Sequence, residues 1–555
     1  IYIDGTVDGS TDWYFPGLDT ISKLAIGRGT DDSGADITFD EATFSTVPRS
    51  ADWLLASYNN QKPDQSSNPY LNFETLVGPI SLNDDDYTKI YGKKDTAITS
   101  YTLAHSGSGS FSATGLSGTG LSLNAATGVL SGTPILAGTS NITVTATGTT
   151  AGGGTVTDTK VYTIVISDPS SFPFRMDLNL SGYTGSSTLT DFPVLVSLSS
   201  SITGFSYNGF LDGDGDGVRT GGDLRFFAAS GQELAYEIAD WNTSGTSNIW
   251  VKVPSISGTN TVITAAWGKT GTETTPDYAT NDPVWNNNYH GVWHLNEIST
   301  GNFVSDSGVN SFHGQVYGDA INQAGLVGDG LYFDGSNDYV SFGVDAGNPG
   351  TASFTTSFWV KWTGSGDPGQ KFMLNNKEEN AVLGWSLGSW GSAHFWLEGS
   401  GADQRVAGLG SNWSANAWHH VVFQYYPDAS SDRGGYGKNY INGALVGQTG
   451  SIQAVSDGTG SLMLGSGPNL ANPWLGNIDE LTISSTLRSA DWIKAEYDNQ
   501  KSSQSLVSYG SVTGPRIITS PLYATGTFGS SFTYTLTATD SSNISSRVFY
   551  GLPAG

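Results

Sequence analysis

A chain of 555 residues carrying 51 acidic against 24 basic side chains, a formal net charge of -27, is repelled by polyanions, which excludes nucleic acid and anionic membrane surfaces as partners. It contains no cysteine, so disulfides, thiol catalysis and zinc-thiolate sites are excluded together. With 73 Gly, 65 aromatic residues (16 Trp, 25 Tyr, 24 Phe) and only 14% charged residues, it reads as an all-β protein of tandem β-sandwiches. At roughly 150 residues per domain, the length accommodates three or four of them. No apolar run approaches the roughly 20 residues of a membrane helix, so no membrane partner is expected in this window.

Residues 1–68 alternate strand patterns with turns (YIDGTVDG, KLAIGRG, ITFDEATF) and close on RSADWLLASYNNQK, Arg49 to Lys62. That stretch recurs as RSADWIKAEYDNQK, Arg488 to Lys501, 439 residues later, with ITFDEATF matched by NIDELTI upstream. A repeat this long is a set of domains. The chain is therefore read as about one and a quarter periods of a longer array, with Ile1 an internal position and both end domains incomplete. In the first copy Ser50 can cap a short helix, Asp52 sits near its positive end, and Trp53, Ala56 and Tyr58 can face a sheet. Trp53 and its mate Trp492 are read as packing residues.

The next segment, 79–169, centres on GLSLNAATGVLSGTPILAGTSNITVTAT, where Asn124 to Gly128 and Gly132 to Pro134 predict two turns bracketing a short strand. GLSLNAATGVLSGTP resembles the immunoglobulin-like, cadherin-like repeats of bacterial surface proteins. Residues 515–555 resemble the opening of the same domain type. Segment 170–290 (FPFRMDLNLSG, DFPVLVSL, DLRFFAASGQELAYEIADWN, NIWVKVPSI) alternates apolar and polar residues over strand lengths, predicting another β-sandwich. It resembles an uncharacterised domain family that precedes lectin-like modules in bacterial and archaeal surface proteins, although WGKTG at Trp267 stands where that family more often has Tyr-Gly. Segment 291–512 carries, in order, LYFDGSNDYVSFG, FTTSFWVKW, WHHVVFQYY, NYINGALVG, SLMLG and NIDELTISSTLRSADWIKAEY. This series resembles the laminin-G-like, concanavalin-A-like jelly-roll family, which implies two antiparallel sheets packed face to face. Residues 1–68 resemble the last third of that family.

Chemistry concentrates in LDGDGDGVRTGGDLRF. Asp212, Asp214 and Asp216 occupy positions 1, 3 and 5 of a calcium loop, Gly217 the turn, Val218 offers its carbonyl at 7, and Asp223 falls at 12. Calcium is the expected structural ion, since clustered carboxylates repel without one. The jelly-roll resemblance implies a second, weaker candidate at Asp306, Asn310 and Asp479, with Asp40 the repeat mate of Asp479. No catalytic residues are expected: Asp479 and Glu480 are adjacent and so point to opposite faces of a strand, and His419-His420 should point one in and one out. Sugar stacking is expected, if anywhere, on loop aromatics at Trp390 and Trp474. The whole reads as a non-enzymatic extracellular, cell-surface segment forming a stalk, adhesin or filament. Its expected partners are neighbouring copies or segments of the same protein, and the alternative reading is a carbohydrate-binding module for glycans.

Overall fold

The structure, a computed structural model, describes residues 2–3, 6–7, 81–82, 89–106, 109–149, 153–212, 218–274, 276, 284–350, 352–364, 369–376, 384–389, 395–398, 405–407, 414–428, 434–453, 455 and 458–515. The readings of 515–555 as a second immunoglobulin-like opening and of nearly all of 1–68 fall outside these residues. The chain divides into two compact units, the first comprising 1–82, 105–110 and 146–158. Within it, Tyr2–Ile3 pairs antiparallel with Thr6–Val7, and the Leu82 amide donates to Asp158 Oδ2 at 2.7 Å.

In the second unit, the turns read from GLSLNAATGVLSGTP form from their own side chains. Asn124 Oδ1 accepts the amides of Ala126 and Thr127, and Gly128 closes the turn at φ +66°. Gly132, at φ +131°, lies so close to the Gly120 carbonyl that a Cβ would stand 2.4 Å from it, so the pairing of Leu121–Leu123 with Val129–Gly132 requires glycine there.

The 170–290 segment builds strands β1 (Phe174–Asn179), β2 (Leu189–Ser199), β3 (Arg225–Ala228), β4 (Tyr236–Asp240), β5 (Thr246–Ile256) and β6 (Val262–Trp267). They form two sheets, ordered β3-β6-β1 and β2-β5-β4. Strand β1 shows the predicted alternation, with Phe174, Met176 and Leu178 inward. Strand β2 does not: every residue from Phe192 to Val196 is buried, so something covers its outer face.

The jelly roll follows with β7 (Tyr289–Trp293), β8 (Asp329–Asp334), β9 (Phe354–Trp362), β10 (His419–Pro427), β11 (Gly434–Ile441), β12 (Ala444–Gln453) and β13 (Leu475–Ser484). Its first sheet runs β8-β13-β9-β10-β11-β12, with Ile321–Ala324 flanking β8 and β7 also paired to β13. A second eight-stranded sheet faces it, and Phe358, Val360, Trp385, Leu464 and Ile478 fill the space between.

Helix α1 (Ala490–Gln500) is the RSADW element, capped by Ser489, whose Oγ accepts the Trp492 amide, with Asp491 in its first turn. It buries two faces rather than one. Trp492 and Ala495 enter the core of the preceding sandwich, and Ile493 packs with Val422 and Tyr440 on the outer face of the jelly-roll sheet. Asn499 then ties onto β2, its Oδ1 accepting the Leu195 amide at 2.7 Å and its Nδ2 donating to the Leu195 carbonyl at 2.9 Å. Beyond the helix, β14 (Ser508–Tyr509) pairs with β1, and Thr513 bridges to Arg175. Residues that follow the jelly roll in sequence thus complete the sandwich that precedes it. Leu506, Val507, Trp492, Tyr289 and Val327 share one continuous core with Phe192 and Trp250.

Candidate functional site

Where the two sandwiches meet, β7 is followed by His294, buried between a carboxylate from each side. Its Nδ1 lies 2.8 Å from Glu480 Oε2 on β13, and its Nε2 3.6 Å from Glu237 Oε1 on β4. Trp250 stacks on the imidazole at 5.7 Å and Trp285 tilts against it at 5.5 Å. Glu237 is held further by the Trp285 indole N–H and by Ser307 Oγ at 2.6 Å. Burial works against the imidazolium, but the charges of Glu480 and Glu237 together outweigh it and raise its pKa well above the usual histidine value. Glu480 occupies the left-handed region at φ +50°, so the expectation that Asp479 and Glu480 simply alternate across a flat strand gives way to a bulge on β13 opposite Ser357 and Trp359, with both acids buried.

The histidine pair keeps the in-and-out alternation, but α1 covers the outer face of β10, so the outward side chain is not solvent-exposed. His419 and His420 are both buried. His420 lies against Trp359, with its Nε2 2.9 Å from Ser357 Oγ, which in turn donates to Glu496 of the helix.

Of the acidic-loop ligands, Asp214 and Asp216 lie outside the described residues; Asp212, Val218 and Asp223 are placed. Val218 is exposed, which suits a carbonyl ligand at a loop surface. Asp223 is 1% exposed; its Oδ2 accepts the amides of Gly268 (2.6 Å) and Leu211 (3.2 Å), while the buried Oδ1 has no hydrogen-bond partner. Burial raises its pKa even against those bonds. A buried carboxylate oxygen left over at the closing position of a calcium-loop pattern is the donor such an ion would take.

At the second calcium candidate most of the donor atoms are engaged by backbone, while the buried Asp479 Oδ1 has no hydrogen-bond partner. Asp306 Oδ1 accepts the Val292 and Gly308 amides and its Oδ2 the Phe312 amide, all at 2.8 Å. Asn310 Nδ2 donates to the His290 carbonyl, and Asp479 Oδ2 accepts Leu326 and Val327. These residues staple loops to strands. Among the described residues, the acids whose oxygens do converge within 4.8 Å are Asp319, Asp334 and Asp338, which sequence spacing did not single out. There too the buried Asp338 is engaged, by the amides of Asp319 and Asp334.

Trp390 lies outside the described residues. Trp474 offers no face to a sugar: it is fully buried, its ring 5.5 Å from that of Trp362 in an edge-on contact. A tryptophan in a loop-like NPW sequence reads as exposed until tertiary packing carries that loop across the end of the core.

Antiparallel β-sandwiches, one of them a jelly roll, define the class, a multi-domain all-β protein. The family comparisons agree: residues 334–494 match the concanavalin A-like lectin/glucanases superfamily (laminin G), 220–285 a domain of unknown function (DUF2341), and 78–167 an Ig domain family. No curated protein matches the chain. Among solved structures, it is similar to domain 4 of AbnA, an extracellular arabinanase from Geobacillus stearothermophilus in complex with arabinotriose, at 19% identity over 38% of this chain and 98% of that one, with a TM-score of 0.28. The binding domain of Paraclostridial Mosquitocidal Protein 1 is similar at 14% identity over 38% of this chain, with a TM-score of 0.31. That of botulinum neurotoxin DC in complex with SialylT follows at 15% identity over 39%, also with a TM-score of 0.31. The chain spans 52% of the length of each of these two toxin domains. Among the described residues, no helix is long and apolar enough to cross a membrane.

Proposed function

We propose that the chain is a non-catalytic segment of a repetitive extracellular, cell-surface protein, serving as the stalk of an adhesin or filament and partnered by neighbouring segments of the same protein. The observation that carries this reading is the shared core. A helix buried on both faces and a C-terminal strand returned to the preceding sandwich make two domains one mechanical block, and the 439-residue repeat supplies such blocks in series. Pulling the chain by its ends in a single-molecule force experiment is expected to release residues 174 to 513 in one step. Separate releases for the sandwich and the jelly roll would remove the reading.

Calcium at Asp212, Asp214, Asp216, the Val218 carbonyl and Asp223 is the structural ion of this block. Its donor set is all oxygen, and the leftover oxygen of Asp223 supports it. Excess calcium is expected to raise the melting temperature above that in chelator, and Asp214→Ala with Asp216→Ala should abolish the difference. Equal melting temperatures in the unsubstituted protein would reduce the loop to a solvated turn.

A further inference from the structure

At the junction, the floor of β2 and β5, the loop after β7, the turn before β8 and the C-terminal end of α1 enclose a cleft of about 660 Å³, within the size range of ligand sites. Its lining contains no aromatic ring and includes five side-chain amides, three carboxylates and one cation, Lys501. Four of the amides are held by one end only. Asn248 Oδ1 accepts from the Ser197 hydroxyl at 3.1 Å, and Gln504 Nε2 donates to Ser197 Oγ at 2.9 Å. Asn296 Nδ2 donates to the Ala239 carbonyl at 2.7 Å, and Gln500 Oε1 accepts the Trp359 indole at 2.5 Å. An indole N–H can only donate and a carbonyl can only accept, so the orientation of the last two amides follows from their partners. What remains for a ligand is two N–H₂ donors, on Asn248 and Gln500, and two carbonyl acceptors, on Asn296 and Gln504. To these the cleft adds the carboxylates of Asp240 and Asp329, close enough that burial first and the charge of Asp329 second raise the pKa of Asp240.

Donors and acceptors in equal number, together with carboxylates, match a ligand whose groups both donate and accept, which is the chemistry of sugar hydroxyls. With Glu297, these carboxylates outnumber the one cation of the lining, Lys501, which Asp498 pairs at 2.7 Å, so an acidic sugar is repelled. We propose that this cleft binds a glycan without acidic groups, its hydroxyls held by Asn248, Asn296, Gln500 and Gln504 and by Asp240 and Asp329. The site exists only where sandwich and jelly roll are joined, since Asn248 and Asp240 come from one and Asn296, Asp329 and Gln500 from the other. It stands whether or not the block serves as a stalk.

The test applies the full chain to an array of neutral, amino and sialylated glycans, then titrates any retained neutral or amino glycan by calorimetry against two variants, Asn248→Leu and the pair Asp240→Asn with Asp329→Asn. Retention of non-acidic glycans, with affinity reduced about tenfold or more in the carboxylate pair, is the expected result. Because the Asp240 and Asp329 carboxylates make no hydrogen bond that joins strands, that pair keeps the test valid should Asn248→Leu disturb the fold. Retention of no glycan, retention of sialylated glycans alone, or affinity unchanged in the carboxylate pair would each overturn the proposal.

Discussion

Trp492→Ala is expected to lower the stability of the sandwich and jelly-roll block by about 3–5 kcal/mol and to split its single calorimetric transition into two. The indole is 6% exposed, lies edge-on to Phe192 at 4.8 Å, and carries the Arg488 guanidinium 4.2 Å above it. Arg488 in turn covers Tyr289 at 4.5 Å and donates to the Asn287 carbonyl. Truncating the indole therefore leaves a cavity in the core of one domain and releases the cation that ties it to the other. The rest of α1 holds more weakly: Asp491 accepts the Ser186 and Ser187 amides on an exposed rim, and Asn499 makes two bonds to one residue. Lys494→Ala, at a half-exposed position beside Asp498, should change stability by less than about 0.5 kcal/mol. One undivided transition at an unchanged temperature in Trp492→Ala would mean that the helix does not couple the domains.

Replacing His294 by alanine is expected to cost about 3–5 kcal/mol, because it leaves Glu237 and Glu480 without the cation between them. Adding Glu480→Gln should recover part of the loss, which a simple packing defect would not allow. The pH dependence has a definite sign. The folded pKa of His294 lies above its ordinary 6.5, so its stabilisation is complete below pH 6.5 and is lost as pH rises from there through the raised folded value. Burial pushes Glu237 up, yet the His294 charge and the bonds from Ser307 and Trp285 hold it below its ordinary 4.5, so its contribution is present above that value and fades as pH falls through the folded one. Glu480, raised by burial despite His294, adds a further cost as pH climbs. Melting temperature against pH should therefore peak in the mildly acidic range and decline on the alkaline side, and the alkaline decline should flatten in His294→Ala. An identical profile in the variant would remove the network as its cause.

Local chemistry was legible residue by residue. The Asn124–Gly128 turn and the inward alternation of β1 follow from rules that need only near neighbours in sequence, and the structure reproduces both; the cap read at Ser50 is seen at its repeat mate Ser489. The jelly roll itself was legible through the family resemblance that its series of strand motifs carries, and residues 334–494 match that family. Even the docking residues left a trace: Arg488, Asp491, Trp492, Asn499 and Gln500 recur unchanged at Arg49, Asp52, Trp53, Asn60 and Gln61, while Ile493, Lys494, Glu496 and Asp498 are replaced. That pattern marks a helix with more than one buried face, although it does not say what the second face meets.

What tertiary structure alone decided is where the outer faces go. A period of two along β9 or β10 separates in from out, but whether out means solvent depends on an element more than 60 residues away, and α1 turns Ser357, Trp359 and His420 into interior groups. The same holds for Trp474, whose loop sequence conceals a core position, and for His294, Glu237 and Glu480, which lie up to 243 positions apart and meet only because two sandwiches share a core. The sequence determined the strand-rich character, the turns and the repeat by local patterning, and the modules through the motifs that carry their family resemblances. The junction, with its buried ion network and polar cleft, arises from long-range burial, for which no local pattern in the chain is a code.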